Sequence, residues 1–410
     1  MASLIIAADL CPIEGNQPHF VRGDAPGLFH DLLPEFAAAD LVIANLECPM
    51  IERPSPIAKT GPTFGEPAAC LNGITAAGID VLCLANNHIL DHGVPGLTHT
   101  LEACARAGLA TVGAGLTPAD ARRILVRQVG SWRVGILAMA EHEFSVTRHG
   151  SPGANPLDLM NFVRGVRDQR DQFDYLIVLL HGSAEFHAPT PRLQQTCRFM
   201  IELGADAVIV QHPHILGGCE EYQGGHIVYG QGALIMDEAI YRDRPSFHEG
   251  FLVKLTIPAA VFPAPPWEAG QGEVPSSRSP GRSQSEPQPS TLNPQPLFEL
   301  IPFIQSAPPP GARKLYEERE QQFRQTLAQR SAAIQDPAFV EAEWVKFCQD
   351  HQRGYLSAVL GHNRVLRKLD FGGWLSRFIH SPRALLGTRN CVLCETHREA
   401  LETIFTRLMK

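Results

Sequence analysis

Short apolar runs recur along the first 255 residues, and each run ends in polar side chains. The runs are SLIIAADL, ADLVIANLE, GIDVLCLANNH, FDYLIVLLHGSAEF and ADAVIVQHPH. Nearly continuous runs of Val, Ile and Leu of this length are typical of strands that are covered on both faces of a sheet. Helical spacing appears between the runs, so the alternation predicts an α/β fold in which helices layer a sheet.

The helical spacing predicts five helices in this region. They span residues 26–38, 67–77, 97–107, 155–172 and 191–203. A hairpin is predicted where the segments 124–129 and 133–140 flank Gly130 and Ser131.

The polar residues at the strand ends are of types that bind divalent metals. The candidates are Asp9, Asn45, Glu47, Asn86, Asn87, His88, His181, Glu185, His212 and His214. Because active sites of open α/β sheets collect at the carboxyl ends of the strands, we expect these side chains to gather along one edge. Oxygen and nitrogen ligands without paired thiolates suit manganese, iron, zinc or magnesium. For Asn86, Asn87 and His88, a polar turn that bonds the local backbone is the alternative interpretation.

Six separated motifs resemble the CapA-type proteins of bacterial capsule (poly-γ-glutamate) synthesis, which belong to the calcineurin-like metallophosphatase superfamily. The motifs are NLECP, GPTFGEP, GIDVLCLANNHILDHG, HGSAEF, GADAVIVQHPH and YGQGALIMD, and they occur in the family's order within the first 255 residues. Six ordered matches are a specific signal. The resemblance implies a layered metallophosphatase-like β-sandwich flanked by helices, to which residues 297–311 return as a last strand.

The resemblance also implies roles for individual residues in a metal site. Asp9 would bind one divalent ion, Glu47 would bridge two ions, and Asn87 would bind the second. The implied remaining ligands are His181, His212 and His214. Of these, His212 and His214 are expected to project the same way from an extended segment, because side chains alternate along a strand.

Two further roles follow from the same resemblance. His88 is the implied proton donor, and Glu185 is a second catalytic candidate that would orient His181. Contacts with the substrate are expected from Asn45, Lys59 and Asn86. An exposed loop position is the alternative for Lys59, and a solvated carboxylate is the alternative for Glu185.

The implied reaction is metal-dependent phosphoester hydrolysis linked to capsule or poly-γ-glutamate biosynthesis, with one or two divalent ions (Mn, Fe, Zn or Mg) as cofactors. The expected partner is a small anionic or phosphorylated substrate, or a polyglutamate-like polymer. Two other classes stay open. One is a non-hydrolytic assembly or binding protein with a degenerate metallophosphatase fold, and the other is an interaction protein that recruits a partner through its C-terminal helices.

Cysteines at two places in the chain are possible metal ligands. The superfamily usually carries His where this chain has Cys11, and we favour packing behind the site over metal ligation for this thiol. Near the C-terminus, Cys391, Cys394 and His397 form a C-x-x-C-x-x-H cluster. A zinc site there would need a distant further ligand, so packing at a helix start is the favoured interpretation.

Composition divides the chain into four predicted stretches. Residues 1–257 carry the α/β pattern, and residues 258–296 turn to Pro, Ser, Gly and Gln, which is typical of an insertion or linker. Residues 297–311 supply the returning strand. Residues 312–410 show helical patterns at 313–322, 338–360 and 394–409, and are predicted to form a helical module. The module could cover the pocket, form a homo-oligomer or recruit a partner, whereas packing on its own sheet is the simplest alternative.

Net charge, targeting signals and cysteine pattern bear on the class of partner and on the cellular compartment. The formal net charge of −8 argues against a general nucleic-acid binder. The N-terminus lacks a basic region before its apolar run, and no run approaches the roughly 18 apolar residues of a membrane span. The ten cysteines follow no paired pattern, which favours a reducing compartment. We therefore expect a cytoplasmic protein.

Overall fold

The predicted strands pair into two large sheets that set the position of the candidate site. The computed structural model describes residues 1–187, 189–237, 241, 243–258, 296–305, 310–360 and 382–409. The predicted insertion at 258–296 falls outside these residues apart from its two end positions.

The strands follow one another along the whole of the first 314 positions. Their bounds are β1 Ala2–Leu10, β2 Leu41–Leu46, β3 Met50–Ile51, β4 Glu66–Pro67, β5 Val81–Cys83, β6 Ala110–Val112, β7 Ala114–Gly115, β8 Leu125–Val129, β9 Trp132–Ala140, β10 Gly153–Ala154, β11 Tyr175–His181, β12 Ala207–Gln211, β13 Cys219–Tyr222, β14 Gly225–Val228, β15 Ala233–Ile235, β16 Glu249–Ile257, β17 Leu297–Gln305 and β18 Ala312–Lys314.

The α-helices lie between the strands and then follow them. Their bounds are α1 Gln17–Arg22, α2 Ala25–Phe29, α3 Leu33–Ala38, α4 Leu71–Ala76, α5 Gly93–Arg106, α6 Pro118–Ala121, α7 Leu159–Gln169, α8 Pro191–Glu202, α9 Glu317–Ala333, α10 Pro337–Leu360, α11 Pro382–Leu393 and α12 Glu395–Leu408.

The first sheet has eight strands among the described residues, in the order β18-β17-β16-β1-β2-β5-β6, with β15 beside β1. Strands β1, β2, β5 and β6 are parallel, and β16 to β18 extend the sheet in antiparallel fashion. The second sheet has six strands, in the order β13-β14-β12-β11-β9-β8. Its strands β9, β11, β12 and β14 are parallel. The carboxyl ends of the parallel strands lie at one edge of each sheet, where binding sites of α/β folds form.

The two sheets face each other across one core, and helices cover the far side of the second sheet. Strand β11 shows this through its period of two. Its residues Ile177 and Leu179 join the core shared by both sheets. The alternate residues Val178 and Leu180 pack instead with side chains of α7 and α8. The predicted α/β sandwich flanked by helices is therefore confirmed.

Local signals explain where several helices differ from their predicted bounds. The helix predicted at 155–172 begins only at Leu159, because the Asp158 carboxylate accepts hydrogen bonds from the Met160 and Asn161 amides at 2.9 and 3.1 Å. The helix predicted at 26–38 is broken into α2 and α3, with His30 at a φ of 42° between them.

The C-terminal region is helical, as predicted, except at its start. Residues 312–314 form β18 beside β17, so the helix predicted at 313–322 begins instead at Glu317. Helices α10 and α12 pack together, with Trp344 and Ile404 in a small buried cluster that also includes Ala184 of the α/β domain. Among the described residues, no helix combines the length and apolar character needed to cross a membrane.

Candidate metal centre

Both sheets bring polar side chains to a common edge at the carboxyl ends of their parallel strands. Asp9 lies near the end of β1, and Glu47 follows β2 directly. His181 is the last residue of β11, and His212 follows β12. Each of these four side chains is buried. The strand-end residues named in the sequence analysis therefore meet across the two sheets.

The meeting side chains form two ligand groups that share one carboxylate. One group contains Asp9, Glu47 and His214, and the other contains Glu47, His181 and His212; within each group the ligand atoms lie within 4.8 Å of one another. His181 Nε2 lies 3.3 Å from Glu47 Oε1. His214 Nδ1 lies 3.3 Å from Asp9 Oδ2. Glu47 thus belongs to both groups and lies between their other members.

The donor atoms of this cluster fit divalent metal ions. Glu47 Oε2 and His212 Nδ1 are buried, and neither has a hydrogen-bond partner within the part of the chain that the structure describes. A buried acceptor without a partner costs about 1–3 kcal/mol, which a bound cation would recover. Carboxylate oxygens together with imidazole nitrogens suit manganese, iron or zinc.

The backbone around the histidine ligands is in a strained conformation. His212 has a φ of 97°, His214 a φ of 53° and Ser183, just beyond His181, a φ of 92°. The expectation that His212 and His214 project the same way from an extended segment is wrong about the backbone, because β12 ends at Gln211 and both residues have positive φ angles. The His212 amide donates a hydrogen bond to Asp9 Oδ2 at 3.0 Å, which helps to hold this conformation.

Three asparagines surround the ligand groups in different ways. Asn87 Oδ1 lies 3.1 Å from His181 Nε2, so it faces the cluster directly. Asn45 Nδ2 donates to Asp9 Oδ1 at 2.8 Å, and Asn86 Nδ2 donates to the Leu46 carbonyl at 2.8 Å. Asn45 and Asn86 are both fully buried. Their placement favours orienting the ligands over the substrate contacts expected from the sequence.

His88 is held by a buried ion pair. Its Nδ1 lies 2.6 Å from Asp91 Oδ2, and the Lys59 ammonium lies 2.7 Å from Asp91 Oδ1. The Lys59 side chain is only 3% exposed, so the exposed loop position considered for it is wrong. With Nδ1 engaged, Nε2 is the ring nitrogen of His88 that a substrate can reach. Asp91 and Lys59 therefore fix the orientation of the His88 ring.

The family comparison covers this cluster. The family described as "Bacterial capsule synthesis protein PGA_cap" matches residues 9–238, which are more than half of the chain. The chain belongs to this family. The matched range contains every residue of the two ligand groups.

Comparison with individual proteins supports the same family assignment. The chain is 28% identical to "Capsule biosynthesis protein CapA" of Bacillus anthracis over 229 residues, which cover 53% of this chain and 56% of the relative. It is 29% identical to "PGA biosynthesis protein CapA" of Bacillus subtilis (strain 168), over 54% of this chain and 60% of the relative. It is 35% identical to a "Probable polyglutamine synthesis accessory protein" of Mycobacterium tuberculosis, over 40% of this chain and 47% of the relative. The alignments thus span about half the length of these relatives.

The pKa values of neighbouring side chains in the two ligand groups are shifted in different directions. Burial and the nearby Asp9 raise the pKa of Glu47 to about 7. Burial opposes the charged form of His214, but the carboxylates of Glu47 and Asp9 outweigh it and raise its pKa to about 9. Burial lowers the pKa of His181 to about 4. Two carboxylates crowded into one buried site are an environment that a divalent cation stabilises.

Glu185 occupies a different place from the one expected. Its carboxylate accepts a hydrogen bond from the Tyr241 hydroxyl at 2.7 Å and forms a ligand group with His212 and His214. The expectation that it orients His181 is therefore not met, since His181 contacts Asn45, Asn87 and Glu47 instead. Glu185 is the more exposed member of its group and opens onto the pocket.

A pocket of about 480 Å³ opens in front of the ligand groups. The α/β domain contributes Lys59, His88 and Arg244 to its wall. The C-terminal helices contribute further side chains, namely Phe347, His351, Tyr355, Asn390, Thr396 and His397. These helices lie outside the family match, so this part of the pocket wall is not covered by the family comparison.

The sequence analysis missed several functional neighbours. It gave no role to Asp91, although this residue lies three positions after His88, where a loop can bring the two side chains together. It also missed Glu143 and Arg244, because neither belongs to a motif. Only the tertiary structure places them in the pocket wall.

Proposed function

We propose that this PGA_cap family member is a metal-dependent hydrolase of phosphoesters that acts in capsule or poly-γ-glutamate biosynthesis. The observation that carries the proposal is the sharing of Glu47 by two ligand groups, each completed by histidines at strand ends. A bridging carboxylate between two sets of ligands is the arrangement of two-metal hydrolases. Asp9, Glu47 and His214 would hold one ion, and Glu47, His181, His212 and Asn87 would hold the second.

Bound divalent ions would supply positive charge against a phosphoryl group and lower the pKa of coordinated water. The protein's own contribution is to orient the ligands and to move a proton. Asn45 fixes Asp9 by its hydrogen bond. His88 lines the pocket and offers Nε2 as the proton donor to the leaving oxygen.

The pocket wall supports an anionic substrate. Arg244 lies with its guanidinium carbon 4.3 Å from the centre of the Phe186 ring, and this stacking holds the cation at the pocket. Lys59 also lines the pocket beside His88, with its charge balanced by Asp91. A small phosphorylated molecule, or the end of a polyglutamate-like polymer, matches this combination of charge and size.

The test is a screen of phosphoesters with protein loaded with manganese or zinc. We expect hydrolysis by the wild type and a loss of about 10²–10⁴-fold in kcat for His88→Ala, the usual contribution of a general acid. The control is His99→Ala, because His99 lies outside the pocket on α5. Equal rates for His88→Ala and wild type would contradict the proposal.

A second candidate function is non-hydrolytic assembly or binding of a polyglutamate-like polymer. The observation that favours it is that one relative is named an accessory protein of polyglutamine synthesis. This alternative predicts that the metal-loaded chain binds poly-γ-glutamate with the same affinity in wild type and His88→Ala, and hydrolyses no phosphoester.

A cytoplasmic location belongs to the proposal as well. All ten cysteines are free thiols in the structure, and nine of them are buried. Free thiols in this number are typical of proteins of reducing compartments.

A further inference from the structure

A separate set of ligand-type side chains meets where the C-terminal helices contact the α/β domain. Glu143, Cys394 and His397 place a carboxylate oxygen, a sulfur and an imidazole nitrogen within 4.8 Å of one another. Cys394 immediately precedes α12, and His397 lies in the first turn of that helix. Glu143 lies three residues beyond the end of β9. Two elements about 250 positions apart therefore build one group.

One separation in the group is close to the distance that zinc requires, and the other two are within 4.8 Å. His397 Nδ1 lies 3.8 Å from Glu143 Oε1. Tetrahedral zinc with bonds of about 2.0–2.3 Å holds its ligand atoms about 3.3–3.6 Å apart. Small side-chain rotations would therefore bring the three atoms into the first coordination sphere of one ion.

A buried nitrogen without a hydrogen-bond partner suggests that this group binds an ion. His397 Nδ1 is buried and has no hydrogen-bond partner among the residues that the structure describes. The surrounding charges are otherwise paired, since Arg192 pairs with Glu141 and His142 pairs with Glu395. A carboxylate and a thiolate together carry two negative charges, which one divalent cation neutralises.

We propose that Glu143, Cys394 and His397 bind a zinc-type divalent ion that fastens the C-terminal helices over the pocket. Its three residues belong to neither of the two ligand groups that share Glu47, although Glu143 adjoins them through a hydrogen bond with Asn87. The proposed ion does not depend on the proposed reaction. The sequence analysis assigned Cys394 and His397 to helix packing because a further ligand was missing from the local sequence. Glu143 is that distant ligand.

Binding requires the thiolate form of Cys394. The thiol loses its proton, a sulfur–metal bond replaces the S–H bond, and the proton leaves for the nearest base or for water. Glu141 is the nearest base, because its Oε2 accepts the thiol's hydrogen bond at 3.4 Å. Glu143 and His397 also line the pocket, so a fourth coordination position would face solvent there.

Cobalt provides a spectroscopic test with a matched control. The full-length chain is loaded with Co²⁺, and the thiolate-to-cobalt charge-transfer band in the near ultraviolet is recorded. Cys391 is the control, because it is a buried cysteine three positions earlier that belongs to none of the ligand groups. We expect the band in wild type, in Cys391→Ser and in the double variant His212→Ala with His214→Ala, and its loss in Cys394→Ser.

Absence of the band in cobalt-loaded wild type, or its persistence in Cys394→Ser, would overturn the proposal. If Cys394→Ser does not fold, Glu143→Gln keeps the shape of the side chain and removes its charge. This variant should weaken cobalt binding at the thiolate site by about 10-fold or more. An unchanged affinity of Glu143→Gln, read from a titration of the same band, would equally overturn the proposal.

Discussion

The Lys59 ammonium and the Asp91 carboxylate form an ion pair of 2.7 Å in which the two side chains are 3% and 0% exposed. Asp91 uses its second oxygen to hold His88 and the Phe64 amide, at 2.6 and 2.8 Å. The stability of the fold depends on both members of such a buried pair, because removing one leaves the other as an uncompensated buried charge.

The first prediction concerns stability. Asp91→Asn leaves the Lys59 ammonium buried without its counterion, and should lower the free energy of unfolding by about 3–5 kcal/mol. Urea denaturation monitored by circular dichroism measures the change. The matched control is Glu102→Gln, which removes one partner of the exposed pair with Arg106 and should have little effect. Equal effects of the two substitutions would contradict the buried-pair argument.

The second prediction concerns the pH dependence of hydrolysis. His88 donates a proton only when protonated, so the rate falls as the pH rises through its pKa. Burial and the Lys59 charge lower that pKa, whereas Asp91 opposes the shift. Lys59→Met should therefore raise the pKa of His88 and move the alkaline limb of the kcat profile to higher pH, and Asp91→Asn should move it to lower pH. Shifts in the same direction would show that His88 is not the group that titrates.

The third prediction concerns the orienting role of Asn45. Asn45→Ala removes the hydrogen bond to Asp9 and the contact of 3.4 Å with His181, and should weaken metal binding by about 10–100-fold. Isothermal titration with Mn²⁺ measures the affinity. Asn72→Ala is the control, because Asn72 is an exposed asparagine of α4 that lies outside the pocket wall and donates to the Val21 carbonyl. A changed KM with unchanged metal affinity would instead restore the substrate-contact interpretation of Asn45.

The ligand groups could be predicted because their positions follow from strand order. Asp9, Glu47, His181 and His212 each lie at or next to the end of a mainly apolar run, and parallel strands place their carboxyl ends at one edge. These features depend on local pattern, which a single sequence carries.

The remaining features depend on contacts between distant segments. Lys59 lies 32 positions before Asp91 in a loop, so neither its burial nor its partner is visible in composition. Glu143 and Cys394 come from parts of the chain that only packing of α12 on the domain brings together. The left-handed backbone of His212 is likewise held in part by its amide hydrogen bond to Asp9, whereas the sequence pattern predicts an extended backbone there.

The metal content of the purified chain tests the central claim most directly. Elemental analysis is made on wild type and on the double variant His212→Ala with His214→Ala, each purified without chelator. We expect near-stoichiometric manganese, iron or zinc in the wild type, and in the variant the loss of the ions held by the two ligand groups that contain Glu47. Wild-type protein that contains no metal and takes up none when it is added would contradict the account.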